Sequence, residues 1–352
     1  MKRFFALICC LAVVGFASAQ EGAANLSTRT FKGVLAGLDQ ASAGDVVTLC
    51  LSGTKQSIAT AEINNAKQFT LTAEVENEQY YTIYLKNRGL VEVITDNSDV
   101  TLTYDAKAER IVVSGSRYND ILREYNNKAG ALLNSLYSAE SEEEAEKIYT
   151  ELLETMDQCI VENSSNPTSI KMLKDYSTYG GDANRVGELF ELIDKKYENI
   201  NGYQAIKRTL IGSDLIDLTL TNTEGEQVTL SDITKSGKWV LVDFWATWCG
   251  PCRGEIPHLV AAYEKFAPMG LEIYGVSFDR QGNEERWRQF VQEKGMCWIN
   301  VWGTGENGEW AAGEGYNVNS IPANFLYSPE GKLVAKDLRG EDIERILSEH
   351  IK

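Results

Sequence analysis

Histidine is almost missing from this sequence, with two in 352 residues, which leaves little room for imidazole chemistry. Basic residues are also in short supply: 34 Lys and Arg stand against 51 Asp and Glu, a formal charge of −17. Such a surface repels phosphate backbones, and no local basic patch relieves it, so nucleic acid is excluded as a partner. Proline does not occur before Pro167, and all seven tryptophans fall between Trp239 and Trp310. That asymmetry predicts segments of different architecture rather than one continuous domain, and the length alone suggests two or three. After residue 16 no apolar run is long enough to span a bilayer. What is present, 43% apolar and 24% charged residues, is ordinary for a globular protein and excludes collagen-like, coiled-coil and disordered classes.

The chain starts with Lys2 and Arg3, then an apolar run from Phe4 to Phe16, then Ala17-Ser18-Ala19. A basic start, a short apolar stretch and a small-x-small site predict a signal peptide over 1–19, with Gln20 as the first mature residue. Thirteen apolar residues fall short of the ~20 that a spanning helix needs. Cys9 and Cys10 raise a lipoprotein alternative, but Ile8 and Cys9 are poor residues before a lipidated cysteine. The expectation is an exported, periplasmic protein without a lipid anchor.

Five cysteines remain after that segment: Cys50, Cys159, Cys249, Cys252 and Cys297. An odd number in an oxidising compartment is not a complete set of structural bridges. Cys50 lies in the apolar run 46–51 and Cys159 on a helical stripe, so both read as buried small hydrophobes. Cys297, beside Trp298 at a strand entrance, reads as packing, with a third thiol near Cys249 and Cys252 as the alternative.

Three patterns follow one another. From 25 to 116 the period is two, with Phe69, Leu71, Ala73 and Val75 alternating with polar residues, and turn clusters separate short runs. This predicts a small antiparallel β-sandwich or barrel of unknown function. From 117 to 205 the period turns helical: Ser141 and Glu144 form a capping box, and Gly180-Gly181-Asp182 ends one helix and caps the next. Glu142, Glu143 and Glu144 sit in a first helical turn, where acidic groups suit the macrodipole without any metal. From 207 to 352 strands and helices alternate, which predicts an α/β unit with helices on both faces of a sheet.

The chemistry concentrates at Asp243-Phe244-Trp245-Ala246-Thr247-Trp248-Cys249-Gly250-Pro251-Cys252. A buried strand ends and two cysteines three apart open a helix. Orphan N–H groups and the positive dipole end there stabilise a thiolate at Cys249. Cys252, one turn on, shares its face and is placed to close a disulfide. A zinc site would need two further ligands, and there is no second pair, while His258 lies on the wrong part of the helix. A purely structural bridge is the other alternative.

These residues, with Glu255-Ile256-Pro257-His258-Leu259, Gly275-Val276-Ser277 and Ile321-Pro322-Ala323-Asn324-Phe325-Leu326, resemble the thioredoxin-like fold in the exported TlpA/ResA branch of thiol-disulfide oxidoreductases. The resemblance covers about two fifths of the chain. It implies that Cys249 is the exposed nucleophile and Cys252 the buried resolving thiol. It also implies that Asp243 is the buried acid beneath them, that Pro322 is in the cis state, and that Trp248, Ile321 and Pro322 contact substrate. One departure is Leu215-Ile216, where members carry Ala-Pro.

Gly250-Pro251 between the cysteines is the pair of reductases, which sets the expected potential nearer about −270 mV than about −120 mV. The predicted partners are disulfide-bearing protein substrates and a membrane thiol-disulfide electron donor; no cofactor and no metal are implied. Three rivals stand beside the reductase. A disulfide isomerase would use the same pair, and a surface-binding protein would carry the redox unit as an auxiliary. A peroxiredoxin would need threonine where Ala246 stands.

Overall fold

The computed structural model describes residues 26–352 except 55, 87, 307 and 319, so the expected signal peptide lies outside the described residues. Among the described residues eight strands come first: β1 (Leu26–Val34), β2 (Val46–Leu51), β3 (Ser57–Glu62), β4 (Gln68–Glu76), β5 (Tyr80–Leu85), β6 (Arg88–Ile94), β7 (Val100–Asp105) and β8 (Arg110–Ser114). They form two four-stranded sheets, β4-β1-β7-β8 and β3-β2-β5-β6. Alternate residues of both, such as Phe31, Val47, Leu71 and Ile83, join one apolar core.

The expectation of a purely antiparallel arrangement is corrected at one pair. β1 and β7 run parallel, Phe31 opposite Val100 through Val34 opposite Thr103. A parallel pair needs a long connection between its strands. Residues 35–99 supply it by crossing into the second sheet for β2 and β3, returning to the first for β4, and crossing again for β5 and β6.

Five helices follow: α1 (Arg117–Tyr137), α2 (Glu142–Asn163), α3 (Thr168–Thr178), α4 (Ala183–Leu192) and α5 (Asn201–Arg208). The caps read from sequence are present. Ser141 Oγ accepts the Glu144 N–H at 3.2 Å, and an Asp182 carboxylate oxygen accepts the Arg185 N–H at 2.8 Å. The helices share a core with the second sheet through Tyr80 and Ile94. Tyr80 donates its hydroxyl to the Pro167 carbonyl at 2.9 Å, and Asn119 bonds both the N–H and the C=O of Ile94. α5 crosses the expected junction at 205–207, and Leu210 still packs on the helical core.

The last unit comprises β9 (Thr219–Asn222), β10 (Gln227–Thr229), α6 (Leu230–Lys235), β11 (Trp239–Trp245), α7 (Gly250–Phe266), β12 (Leu271–Ser277), α8 (Glu284–Glu293), β13 (Ile299–Trp302), α9 (Ala311–Glu314), β14 (Ala323–Tyr327), β15 (Leu333–Lys336) and α10 (Glu341–His350). Its seven-stranded sheet has the order β10-β9-β13-β12-β11-β14-β15. β11 is central, parallel to β12 and antiparallel to β14. Leu241 and Trp245 enter the core with α7, α8 and α10, while Val240, Val242 and Phe244 enter the opposite core with α6. Every residue of β11 after Trp239 is therefore buried. Among the described residues, no helix is long and apolar enough to cross a membrane.

Candidate functional site

The site starts where β11 runs out. Thr247 donates its N–H to the Asp279 carboxylate at 3.0 Å, and its hydroxyl donates to the same group. Ser277 Oγ donates to Asp279 at 2.8 Å, so the loop after β11 is clasped to the end of β12. This fixes where α7 begins.

Cys249 is the N-cap of α7, with extended backbone (φ −80°, ψ 108°). Its Sγ accepts the N–H of Cys252 at 3.1 Å, the bond that a capping oxygen would otherwise take. Cys249 and Cys252 are joined in a disulfide with their Cα atoms 5.3 Å apart. One sulfur of this pair thus lies on a backbone donor at the positive end of a 17-residue helix. Negative charge arising on Cys249 when the bridge opens is stabilised there, which is the requirement for a thiolate nucleophile.

Cys249 is not exposed as expected: it shows 4% of its surface, against 2% for Cys252. Ile321, which lies over it with its carbonyl oxygen 3.7 Å from Cys249 Sγ, is part of the reason. The Ile321–Pro322 bond is cis. Trp248 is the exposed neighbour, at 53%. Its ring lies 6.4 Å from that of Trp310, which stacks in parallel on Phe278 at 4.6 Å and 5°.

Asp243 alternates with Leu241 and Trp245, so it points to the face of the sheet that carries α7 and both cysteines. It is 4% exposed, and burial raises its carboxyl to about 7. The Arg339 guanidinium opposes that shift, the Glu255 carboxylate adds to it, and a weaker hydrogen bond from Asn324 opposes it. Asn324 is the cross-strand partner of Asp243, and its amide is held by the N–H and C=O of Leu338. Arg339 donates to the Pro322 carbonyl, and Glu255 accepts the Gly340 N–H at 2.7 Å. On the other side Asp243 pairs with Gly275. A Cβ there would come to 3.0 Å from Trp298 Nε1 and Asn300 Oδ1, so a larger residue would require these two side chains to shift.

The other thiols are elsewhere. Cys50 and Cys159 are buried and free, as read from sequence, and burial pushes both upward. Cys297 is exposed, not packed, because it lies in the turn before β13 while Met296 and Trp298 on either side point inward. Sequence reasoning missed Arg339, Trp310 and Asp279. Each reaches the site through a loop, and periodicity says nothing about loops. Asn324 was within reach, since pairing the two apolar strands in antiparallel register sets it opposite Asp243.

Known proteins bear on this geometry. A family model described as the AhpC/TSA family matches residues 211–336, and one described as a domain of unknown function (DUF4369) matches residues 30–122. The thiol-disulfide oxidoreductase ResA of Bacillus subtilis (strain 168) is 31% identical over 140 residues, which are 40% of this chain and 73% of that protein. ResA of Bacillus thuringiensis (strain Al Hakam) is 30% identical over 153 residues, 43% of this chain and 83% of that protein. Among solved structures, the thioredoxin domain of a thiol-disulfide oxidoreductase from Bacteroides vulgatus is 35% identical, covering 40% of this chain and 98% of that one, with a TM-score of 0.37. By its match to most of the length of the ResA proteins, this chain belongs to the ResA family of thiol-disulfide oxidoreductases.

Proposed function

We propose that the chain is an exported reductase of protein disulfides that works by dithiol exchange. The observation that carries this reading is the 3.1 Å approach of the Cys252 N–H to Cys249 Sγ at the head of α7. In the reduced protein the Cys249 thiolate attacks one sulfur of a substrate cystine. A mixed disulfide forms, and the other substrate sulfur leaves as a thiolate. Cys252 then loses its proton to Asp243 and attacks Cys249 Sγ, which releases the second substrate sulfur and closes the Cys249–Cys252 bridge. An acid titrating at about 7 is suited to take and return that proton near neutrality. Trp248 and the backbone at Ile321–Pro322 border the attacking sulfur and hold the substrate chain.

Two electrons must come back through a second exchange, for which a membrane thiol-disulfide donor is the partner. The basic–apolar–small start of the sequence supports export, and Gly250-Pro251 supports reduction over oxidation. Residues from about 211 onward would form the redox unit, and the two sheets and five helices before it would set partner choice. Insulin reduction by the full-length protein tests the reading: activity is expected and should vanish in Cys249→Ser. Refolding of scrambled ribonuclease without added reductant separates the outcomes further, since efficient reshuffling would replace the reductase with an isomerase.

A further inference from the structure

Where the helices meet the redox unit, a cavity of about 390 Å³ opens between α3 and β15, lined among others by Lys174, Ser177, Asn317, Pro322, Lys336 and Arg339. A second cavity of about 330 Å³ shares Lys174 and Asn317 with it and reaches Ser52 and Gly53 of the first unit. The two lie end to end, from the residue after Ile321 to the N-terminal sheets.

The cleft is more cationic than the chain around it. Of its three acids, Asp342 is taken by Arg345 at 2.8 Å, Asp337 stands 4.0 Å from Lys336, and Glu92 lines the second cavity together with Lys171 and Lys174. Lys336 has an 8% exposed side chain, and its closest partner is the neutral Ser177 Oγ at 2.8 Å. Among the described residues, Lys174 and Arg339 have no carboxylate within ion-pair distance. Burial and then the nearby Lys171 disfavour charge on Lys174, and the Glu92 and Asp175 carboxylates only partly offset them. A partly buried cation whose nearest carboxylates lie beyond ion-pair distance is only partly compensated, and an oxyanion entering the cleft would complete the pairing. In a chain of charge −17, a local cationic recess selects for anions that the rest of the surface turns away.

We propose that this cleft binds a carboxylate-bearing stretch of the polypeptide whose cystine is being reduced, with Lys174 and Arg339 as the cations that read it. The proposal rests on the reductase reading. The cleft begins at Pro322, and the carbonyl of Ile321 is 3.7 Å from Cys249 Sγ. A chain joined to Cys249 therefore passes its mouth.

The test uses the oxidised full-length protein and two peptides in which serine replaces cysteine, one with three glutamates on one side of that serine and one with three glutamines. Calorimetric titration should show the glutamate peptide binding about tenfold more tightly at low salt, with the ratio falling as salt rises. Lys174→Gln should bring the ratio close to one, and Lys174→Glu should invert it, both at an unchanged melting temperature. A ratio of one in the wild type, or a tenfold ratio kept in both variants, overturns the proposal. Inorganic phosphate is the second arm. Binding of phosphate without any glutamate preference would make this a small-anion site and overturn the polypeptide assignment, whereas phosphate competing only with the glutamate peptide supports it. Turnover of uncharged hydroxyethyl disulfide is measured separately, and its absence would sink the reductase reading without touching the binding result.

Discussion

Cys159 in α2 and Cys249 at the head of α7 are buried to nearly the same degree, 6% and 4% exposed. Burial alone would make both inert. Cys159 lies in the last two turns of a 22-residue helix among Leu152, Met156 and Ile160, and its thiol is pushed up by desolvation. Cys249 lies before the first turn of its helix, where the N–H groups have no other acceptor, and one of them already points at its sulfur. The comparison teaches that the end of the helix on which a thiol sits decides its chemistry when accessibility does not. A buried cysteine in this protein is a free hydrophobe on one helix and, on another, one half of a disulfide to which the proposed function gives the redox role.

The largest test of that contrast is removal of each sulfur. Cys249→Ser should lower insulin reduction by about a thousandfold or more, while Cys159→Ser should stay within about twofold, since a small buried side chain changes little. Comparable losses would erase the distinction. Alkylation sharpens it next. In the reduced protein at pH 6, iodoacetamide should modify Cys249 at least about tenfold faster than the exposed Cys297, and Cys50 and Cys159 only on unfolding. Mass spectrometry of the four sites reads the order, and a faster Cys297 would show that exposure, not the helix, governs reactivity.

Asp243 gives a smaller effect with a distinct pH signature. Its carboxyl titrates at about 7 in the folded chain, against 3.8 ordinarily, so folding penalises the ionised form. The penalty is absent below the unfolded value, grows between the two and is constant above 7. Asp243→Asn should thus stabilise the protein at pH 8, by up to ~4 kcal/mol from ~1.4 kcal/mol per pH unit, and the gain should shrink toward pH 4. Activity should move the other way: about tenfold slower reduction at pH 8, where the wild type has its carboxylate, and little change at pH 5.5. Thermal melts and initial rates across that range check both, and a pH-independent loss would mean that Asp243 only packs. The smallest expected effect is at Trp310. Removing its stack on Phe278 by Trp310→Ala should raise KM for a protein substrate a few-fold and leave small disulfides unaffected.

The redox region was far more legible than the first half of the chain. A buried run ending in two cysteines three apart specifies a strand, a turn and a helix N-terminus together, so β11, α7 and the side of Asp243 followed from alternation. β3 carries no legible strand pattern, because Ser57–Glu62 offers only alanines and one exposed isoleucine, which give little period-two contrast. β9, β10 and α6 are four, three and six residues long, too short for a period to emerge. The parallel pairing of β1 with β7 joins residues nearly 70 apart and leaves no local trace. The acid's neighbours were hidden for the same reason: Arg339 and Glu255 meet near Asp243 only because β15 and α7 converge there.

The clamp of Asn119 on Ile94 has a consequence for solubility. β6 is the last strand of its sheet, and its free edge is the kind of surface that recruits another strand. Asn119 offers one amide donor and one acceptor to Ile94, as a neighbouring strand would, and α1 then stands where that strand would have to lie. A fragment cut at residue 116 would keep all eight strands and lose this guard. It would also uncover Ile94 and the Tyr80 hydroxyl, which now bonds Pro167. Such a fragment should self-associate edge to edge, whereas one carried through α3 should stay monomeric.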